Sequence, residues 1–178
     1  MFDPSEFELV FIDSDSVTNV TSLNRVNHRR VLLFVGNRKG LISYGKGKGE
    51  DYESAYDSAF KSLRNNIICV PLDQNQWTTP IVMRGHHNDY KIKIWPQPIP
   101  NFWGGPTLWT LLKLTGFGHM RYNVKSRSRE PYSMIYAFFN CVTQNRTVTE
   151  MQHEMGKKIY NIGHTSGFRV NSSDKFDM

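Results

Sequence analysis

The sequence predicts an α+β fold, in which a β-β-β-α unit is followed by a β-α-β-α half. Three observations lead to this class. Short β-rich apolar runs separated by turn residues fill 7–44, an apolar stripe at helical period occupies 52–63, and segments of both periods alternate beyond Pro80. Apolar residues make up 39% of the chain, enough for a hydrophobic core. No apolar run approaches the roughly 18 residues that span a membrane.

The first unit opens with three predicted antiparallel strands. Residues 7–12 alternate in a strand pattern that can continue through 17–20, and residues 31–35 form a second apolar run. Between them, the polar and basic segment 22–30 is predicted to be a projecting hairpin loop. Turn residues at 36–40 then lead into a third strand at 41–44.

A helix is predicted after these strands, because its apolar residues share one face at helical period. They are Tyr52, Ala55, Tyr56, Ala59, Phe60 and Leu63. Acidic residues fill the first turn and basic residues the last, which suits the helix dipole, and Asn65–Asn66 end the helix.

The second half has a strand pattern and helix signals in alternation. Its elements are a strand at 90–94, a helix at 107–114 ended by Gly116 or Gly118, a strand at 119–124, a helix from Pro131, and a short helix after the capping-box candidate Thr147-x-x-Glu150. The predicted division is a domain at 1–68, a domain at 69–160 and a tail at 161–178.

Charge is distributed in blocks. The chain holds 22 Lys and Arg against 16 Asp and Glu, a net charge of +6. Residues 1–20 contain five acids and no Lys or Arg, whereas residues 21–49 contain seven bases and no acid. Such a block favours a polyanionic partner, although a solvated basic surface is the alternative. The candidate phosphate contacts in it are Arg25, Arg29, Arg30, Arg38, Lys39, Lys46 and Lys48.

Two later features fit contacts with nucleic acid. Lys125, Arg127 and Arg129 precede the helix that starts at Pro131, and a helix N-terminus beside cations is a suitable phosphate site. A solvated basic turn is the alternative. Aromatic rings in the proline-rich loop that follows the 90–94 strand, Trp103 among them, could stack on bases. They could equally close the core of the second half.

Residues 40–47 come close to a nucleotide-binding P-loop. Gly47, however, stands where Ser or Thr must bind magnesium after Lys46, and a strand is predicted inside the motif. The glycines can instead let the backbone approach a phosphate backbone, or simply form bulges beside solvated lysines. His86 and His87 would point to opposite faces of a strand. We therefore predict no enzymatic activity, no cofactor and no metal site.

The cysteines and the N-terminus bear on where the chain works. Cys69 and Cys141 lie in apolar runs and are predicted to be small core residues. Residues 1–6 are acidic and lack arginine, so we expect them to be neither a secretory signal nor a typical transit peptide.

Residues 35–48, Val-Gly-Asn-Arg-Lys-Gly-Leu-Ile-Ser-Tyr-Gly-Lys-Gly-Lys, resemble the central motif of ribosomal protein five of the small subunit. That family reads Val-Gly-x-Gly-x-Gly-x-x-Gly-Phe-Gly-x-Gly-Lys-Ala. The matching residues are Gly36, Gly40, Gly45, Gly47 and Lys48. The segment 61–68 is similar to the family's Lys-Ala-Arg-Arg-Asn-Met-Ile. Residues 103–105 resemble its second glycine-rich loop, and 114–116, after an apolar helix, resemble the Val-Ala-Gly that follows that loop. The resemblance covers residues 7–158.

The resemblance implies a first half like double-stranded-RNA-binding domains and a second half of a fold shared with some small-molecule kinases. It implies a structural constituent of the small ribosomal subunit that binds small-subunit rRNA and contacts ribosomal proteins four and eight. It also implies a place near the mRNA entry channel and a role in assembly and decoding accuracy. A free accessory protein that binds duplex RNA is the alternative.

Carried over by position, segment 22–30 is the family's first hairpin loop, which makes Arg25, Arg29 and Arg30 candidate rRNA contacts. We expect Arg29→Glu with Arg30→Glu to weaken rRNA binding more than Lys91→Glu. Arg38 and Ser43 stand where the family has glycine. These departures favour a mitochondrial version over one from a bacterial cytoplasm or a plastid.

Overall fold

The computed structural model describes residues 6–72, 79–96, 102–103 and 105–159. Its strands are β1 Glu8–Val20, β2 Arg25–Gly36, β3 Leu41–Gly49, β4 Ile68–Cys69, β5 Met83–His87, β6 Tyr90–Pro96, β7 Phe102–Trp103 and β8 Met120–Lys125. Its α-helices are α1 Tyr52–Ser62, α2 Pro106–Thr115, α3 Pro131–Val142 and α4 Val148–Met155, and a 3-10 turn at Leu63–Asn66 follows α1. The predicted α+β class is confirmed.

The first sheet has the order β1-β2-β3-β4 with antiparallel neighbours. Strands β1 and β2 pair as far as Val20 opposite Arg25, so the hairpin turn is only the segment 21–24. The prediction of a loop over 22–30 was therefore wrong for 25–30. These polar residues stay in strand form because β1 and β2 continue to pair across them, so that alternate residues exchange backbone hydrogen bonds with the opposite strand.

Strand β2 is buried on both faces at 31–35, which explains its unbroken apolar run. Val31, Leu33 and Val35 pack against α1. Leu32 and Phe34 point the other way and join the core formed with α2 and α3. The first sheet is thus the middle layer of the molecule.

The second sheet has the order β5-β6-β8-β7, with α2 and α3 completing the half. Strand β5 forms a hairpin with β6 that the sequence interpretation did not specify. The predicted helix ends are confirmed. Helix α2 ends at Gly116 with φ 112°, and Thr147 with Glu150 forms the capping box of α4.

One hydrophobic core joins the two halves. The ring of Phe34 on β2 lies 6.1 Å from that of Phe138 on α3, at 75°. The proposed division after residue 68 falls inside β4, and the tail from 161 lies outside the described residues. Cys141 is buried as predicted, whereas Cys69 is exposed, because short edge strand β4 turns its side chain away from the core.

Candidate nucleic-acid interface

The glycines of the 36–49 stretch serve packing within the protein. A Cβ on Gly45 would collide with the carbonyl oxygen of Ala59, and one on Gly47 with that of Ala55. Strand β3 therefore lies directly against the backbone of α1. The interpretation that these glycines admit a phosphate backbone is wrong for this face, because α1 already occupies it.

Lys46 and Lys48 point to the opposite face of β3 and are exposed. The Lys46 ammonium donates a hydrogen bond to the Tyr136 hydroxyl of α3 and lies 4.9 Å from the centre of that ring. The ring of His87 is 4.7 Å away from the same tyrosine. Helix α3 thus anchors one predicted cation and leaves its neighbour Lys48 free to bind an anion.

Arg30 lies on the same face, directly opposite Lys48 in the register of β2 and β3. Its Nε donates a 2.8 Å hydrogen bond to Asp15, and a second N–H reaches the other carboxylate oxygen. This pairing raises the pKa of Arg30 above its ordinary value. The guanidinium is 5.2 Å from the ring centre of Tyr132. Arg30 is therefore partly neutralised, which makes it a weaker candidate for an rRNA phosphate contact.

Tyr132 closes this face beneath Arg30. Burial first, and the negative charge of Asp15 second, raise the pKa of Tyr132. Its hydroxyl is buried and makes no hydrogen bond within the part of the chain that the structure describes. The ring thus supports the arginine and carries no charge at neutral pH.

The turn at 126–130 leads into α3 beside this group. Arg127 and Arg129 are exposed. Asp89 accepts hydrogen bonds from the backbone N–H groups of Arg127, at 2.6 Å, and Ser128. Glu130 is the N-cap residue of α3 and its carboxylate accepts from the Ser133 hydroxyl. The negative charge of this carboxylate disfavours the phosphate site predicted at the N-terminus of α3. The side chains of Arg127 and Arg129 remain as candidate anion contacts.

We call this region the α3 surface, defined as Arg30, Lys46, Lys48, Arg127, Arg129, Tyr132 and Tyr136. Sequence reasoning missed the two tyrosines. Their spacing of four residues on a predicted helix was the available signal, since such residues lie on one face. What the sequence could not reveal was that this face meets β2 and β3.

Arg38 and Lys39 lie at the other end of β3, on the turn that docks onto α2. The N–H of Arg38 donates to the carbonyl of Leu114 at 2.8 Å, and that of Gly40 to Thr115 at 2.8 Å. Leu41 and Lys46 are five residues apart on β3, or roughly 17 Å at about 3.3 Å a residue. The basic block is therefore continuous in sequence but divided in space.

The remaining predicted contacts lie outside the group defined as the α3 surface, although Lys125 lines the same depression as Arg127. Arg25 and Arg29 are exposed on the hairpin, and Arg29 faces the opposite side of the sheet from Arg30. Lys125 points outward from β8. Trp103 is on β7, but its side chain lies outside the described residues.

Neither a P-loop nor a metal centre is present in the described ranges. Strand β3 runs without interruption through Leu41–Gly49, so the glycine motif has no phosphate-binding loop. Among those residues, no group of three or more His, Cys, Asp or Glu could hold a metal ion. None of their helices is long and apolar enough to cross a membrane.

Comparison with known proteins agrees with the resemblance seen in the motif. Residues 8–71 match the family described as ribosomal protein S5, N-terminal domain. Small ribosomal subunit protein uS5 of Paracidovorax citrulli (strain AAC00-1) is 27% identical over 149 residues, which cover 82% of this chain and 84% of the relative.

Two more distant relatives carry the same name. The protein of Hyperthermus butylicus is 24% identical over 142 residues, covering 75% of this chain and 67% of the relative. That of Mycoplasmopsis agalactiae is 24% identical over 159 residues, covering 89% and 68%. These matches extend through both halves of the fold.

Proposed function

The chain belongs to the family of small ribosomal subunit protein uS5, and on that premise we propose that it is a structural constituent of the small ribosomal subunit. The observation that carries the proposal is the α3 surface. There, cations from β2, β3 and the turn before α3 gather on one side, whereas the glycine motif that could have bound a nucleotide is used for packing. Binding by charge and shape requires no catalytic group.

The finer proposal is that the α3 surface and the β1–β2 hairpin bind small-subunit rRNA near the mRNA entry channel. Ribosomal proteins four and eight are the proposed protein neighbours, and assembly and decoding accuracy the proposed roles. The hairpin supports this placement, because residues 16–29 extend beyond the part of the sheet that α1 and α3 cover. Its tip residue Leu23 is 96% exposed.

We also propose that the subunit is mitochondrial. The support is sequence divergence at Arg38 and Ser43, where the family has glycine. Fractionation of cells that express a tagged chain tests this. Recovery with cytoplasmic or plastid ribosomes would contradict the compartment while leaving the ribosomal role intact.

Co-sedimentation with assembled small subunits tests the function itself. We expect the chain to remain with the subunit at moderate salt, and Lys46→Glu with Lys48→Glu to lower its occupancy. Loss of about two phosphate contacts reduces the slope of log affinity against log salt by roughly 1.8 for duplex RNA-like sites.

The matched control is Lys61→Glu with Arg64→Glu, which makes the same charge change at exposed positions in and just after α1. It should retain occupancy. A wild-type pool that stays free of rRNA after lysis would overturn the ribosomal role and favour a free accessory protein.

A further inference from the structure

The second sheet has one face that no described element covers. Inward side chains such as Met83, Ile92 and Ile94 are buried against the helices. The outward positions of β5, β6 and β8 alternate with them and are exposed. Six of those positions carry basic side chains: Arg84, His86, Lys91, Lys93, Arg121 and Lys125. We call these six residues and Trp95 the outer sheet face.

The strand register places these side chains side by side. Lys93 lies between Arg84 and Asn123, and Lys91 lies between His86 and Lys125. Neighbouring strands are about 4.8 Å apart, and like charges directly opposite each other destabilise a sheet. The protein therefore holds cations together at a cost to its own stability.

Among the residues that the structure describes, none of those lining the cavity of about 720 Å³ on this face is acidic. The nearest carboxylate in the lining of the adjoining depression is that of Asp89 at the edge, beside Lys91 and Lys125. It already accepts hydrogen bonds from the backbone of Arg127 and Ser128. Positive charge that no other described carboxylate offsets on an open sheet face attracts polyanions.

Trp95 adds an aromatic surface beside the cations. It is half-buried, and its cross-strand partner is Arg121. The Lys93 ammonium lies 5.2 Å and the Arg121 guanidinium 5.6 Å from a ring centre of the indole. An exposed cation–ring contact is weaker than stacking of a nucleobase. A base can thus replace a cation on the ring and release that cation to a phosphate.

We propose that the outer sheet face binds the phosphodiester backbone of a single-stranded RNA segment, with one base stacked on Trp95. The inference rests on the proposed function, because it takes RNA as the partner. It adds a second surface, which adjoins the α3 surface at the depression lined by Lys125 and Arg127. A single strand fits better than a duplex, since only unstacked bases can lie on an aromatic ring. From the sequence alone, each of these strands shows only the usual alternation of apolar and polar residues, which predicts one solvent-exposed side. The sequence does not reveal that the basic residues of the three strands lie side by side.

The salt dependence of binding tests the role of the basic residues of the outer sheet face. A short fluorescein-labelled uridine oligonucleotide is titrated with the full chain, and anisotropy is followed at several salt concentrations. We expect Lys91→Gln with Lys93→Gln to lower the slope of log affinity against log salt by about 1.4, because two phosphate contacts to a single strand are lost. This corresponds to roughly 25-fold weaker binding at about 0.1 M salt. Lys61→Gln with Arg64→Gln removes equal charge elsewhere and should preserve the slope. Equal losses in both variants would overturn the proposal.

Trp95→Leu tests stacking separately from charge. We expect wild-type tryptophan fluorescence to be quenched by the oligonucleotide, and the variant to lose that quenching. Its affinity should fall roughly tenfold with the salt slope unchanged, because a stacked base is lost and no phosphate contact is. Circular dichroism verifies that each variant is folded. Unchanged affinity of Trp95→Leu would remove the stacked base from the proposal.

Subunit co-sedimentation in parallel separates this inference from the proposed function. Wild-type chain that joins the subunit but binds no oligonucleotide overturns the inference alone. Wild-type chain absent from the subunit overturns the proposed function. If Lys91→Gln with Lys93→Gln binds the oligonucleotide normally yet fails to join the subunit, the outer sheet face meets a protein partner, and the RNA proposal is wrong.

Discussion

The two departures from the family's glycine pattern are accommodated locally, each by different chemistry. Arg38 has φ 58°, a left-handed conformation that glycine adopts most easily, and its guanidinium pairs with Glu8 at 2.5 Å. Ser43 is fully buried and donates its hydroxyl hydrogen to the carbonyl of Leu63. Neither substitution therefore interrupts the turn or the strand that the motif builds.

Gly47→Ala should destabilise the protein by about 3 kcal/mol, because the new methyl group meets the backbone of α1 at Ala55 and Ala59 and neither can move aside. Urea unfolding measures the change. Gly105→Ala is the matched control, since a Cβ there meets nothing within 4 Å. It should cost at most about 1 kcal/mol, from its N-cap position. Equal costs would refute the packing role of the motif glycines.

Cys141 should make the protein less stable at alkaline pH. Burial raises the pKa of its thiol from 9.0 to about 12. Because the pKa of this group is higher in the folded than in the unfolded protein, its contribution to stability is fully present below the unfolded-state pKa. That contribution is lost as the pH rises toward the folded-state pKa. Between pH 9 and 10, unfolding free energy should fall by about 1 kcal/mol more in wild type than in Cys141→Ala. Parallel pH profiles of the two proteins would contradict this assignment.

Among the elements, the β1–β2 hairpin differs most from its expected form. It is a long ladder with a short turn, and one of its arginines, Arg30, pairs across the strands with Asp15. This pairing keeps one candidate phosphate contact occupied. The hairpin therefore offers rRNA fewer free cations than a count of its arginines indicates.

Asp15→Asn should strengthen binding to an rRNA transcript, because it removes a negative charge and frees Arg30. The slope of log affinity against log salt should become steeper by about 0.9, because one phosphate contact is gained. Stability should change by less than about 1 kcal/mol, since both side chains of the pair remain partly solvent-accessible. Asp57→Asn on exposed α1 is the charge-matched control and should have the smaller effect. An equal gain in the control would leave only net charge as the cause.

At the scale of the whole molecule, the first sheet lies between α1 on one side and α2 with α3 on the other. The two halves of the chain therefore cannot separate without exposing Phe34, Phe138 and their neighbours. The surfaces proposed to bind RNA are consequently fixed in relation to one core. The α3 surface is a product of that contact, because Arg30, Lys46 and Lys48 come from the first half, whereas both tyrosines, Arg127 and Arg129 come from the second.

Phe138→Leu should lower protection from hydrogen exchange equally in both halves, by about 1–2 kcal/mol, because its ring fills the shared core. The amides of Phe34 and Ile92 serve as reporters. Leu23→Ser, at an exposed hairpin tip, should change neither. Loss of protection at Ile92 alone would show that the halves unfold independently.

Most elements could be predicted because their signals are local. The stripe of α1, Pro131 at the start of α3, Gly116 at the end of α2 and the α4 capping box each depend on neighbours within a few residues. The predictions of a loop over 22–30 and of a buried Cys69 were wrong. Both depend on strand pairing and on the edge position of β4, which involve residues far apart in sequence. The rRNA contacts stay a prediction.

The sequence by itself determined helices α1 to α4, strands β1, β2, β3, β6 and β8, the basic character and the family motif, since periodicity, charge and turn chemistry depend on adjacent residues. Only the tertiary structure decided which side of each strand meets a helix. That choice turned the motif glycines inward against α1, placed Lys46 on Tyr136 and left the outer sheet face open. Packing between distant segments fixes these positions, and no local pattern encodes it.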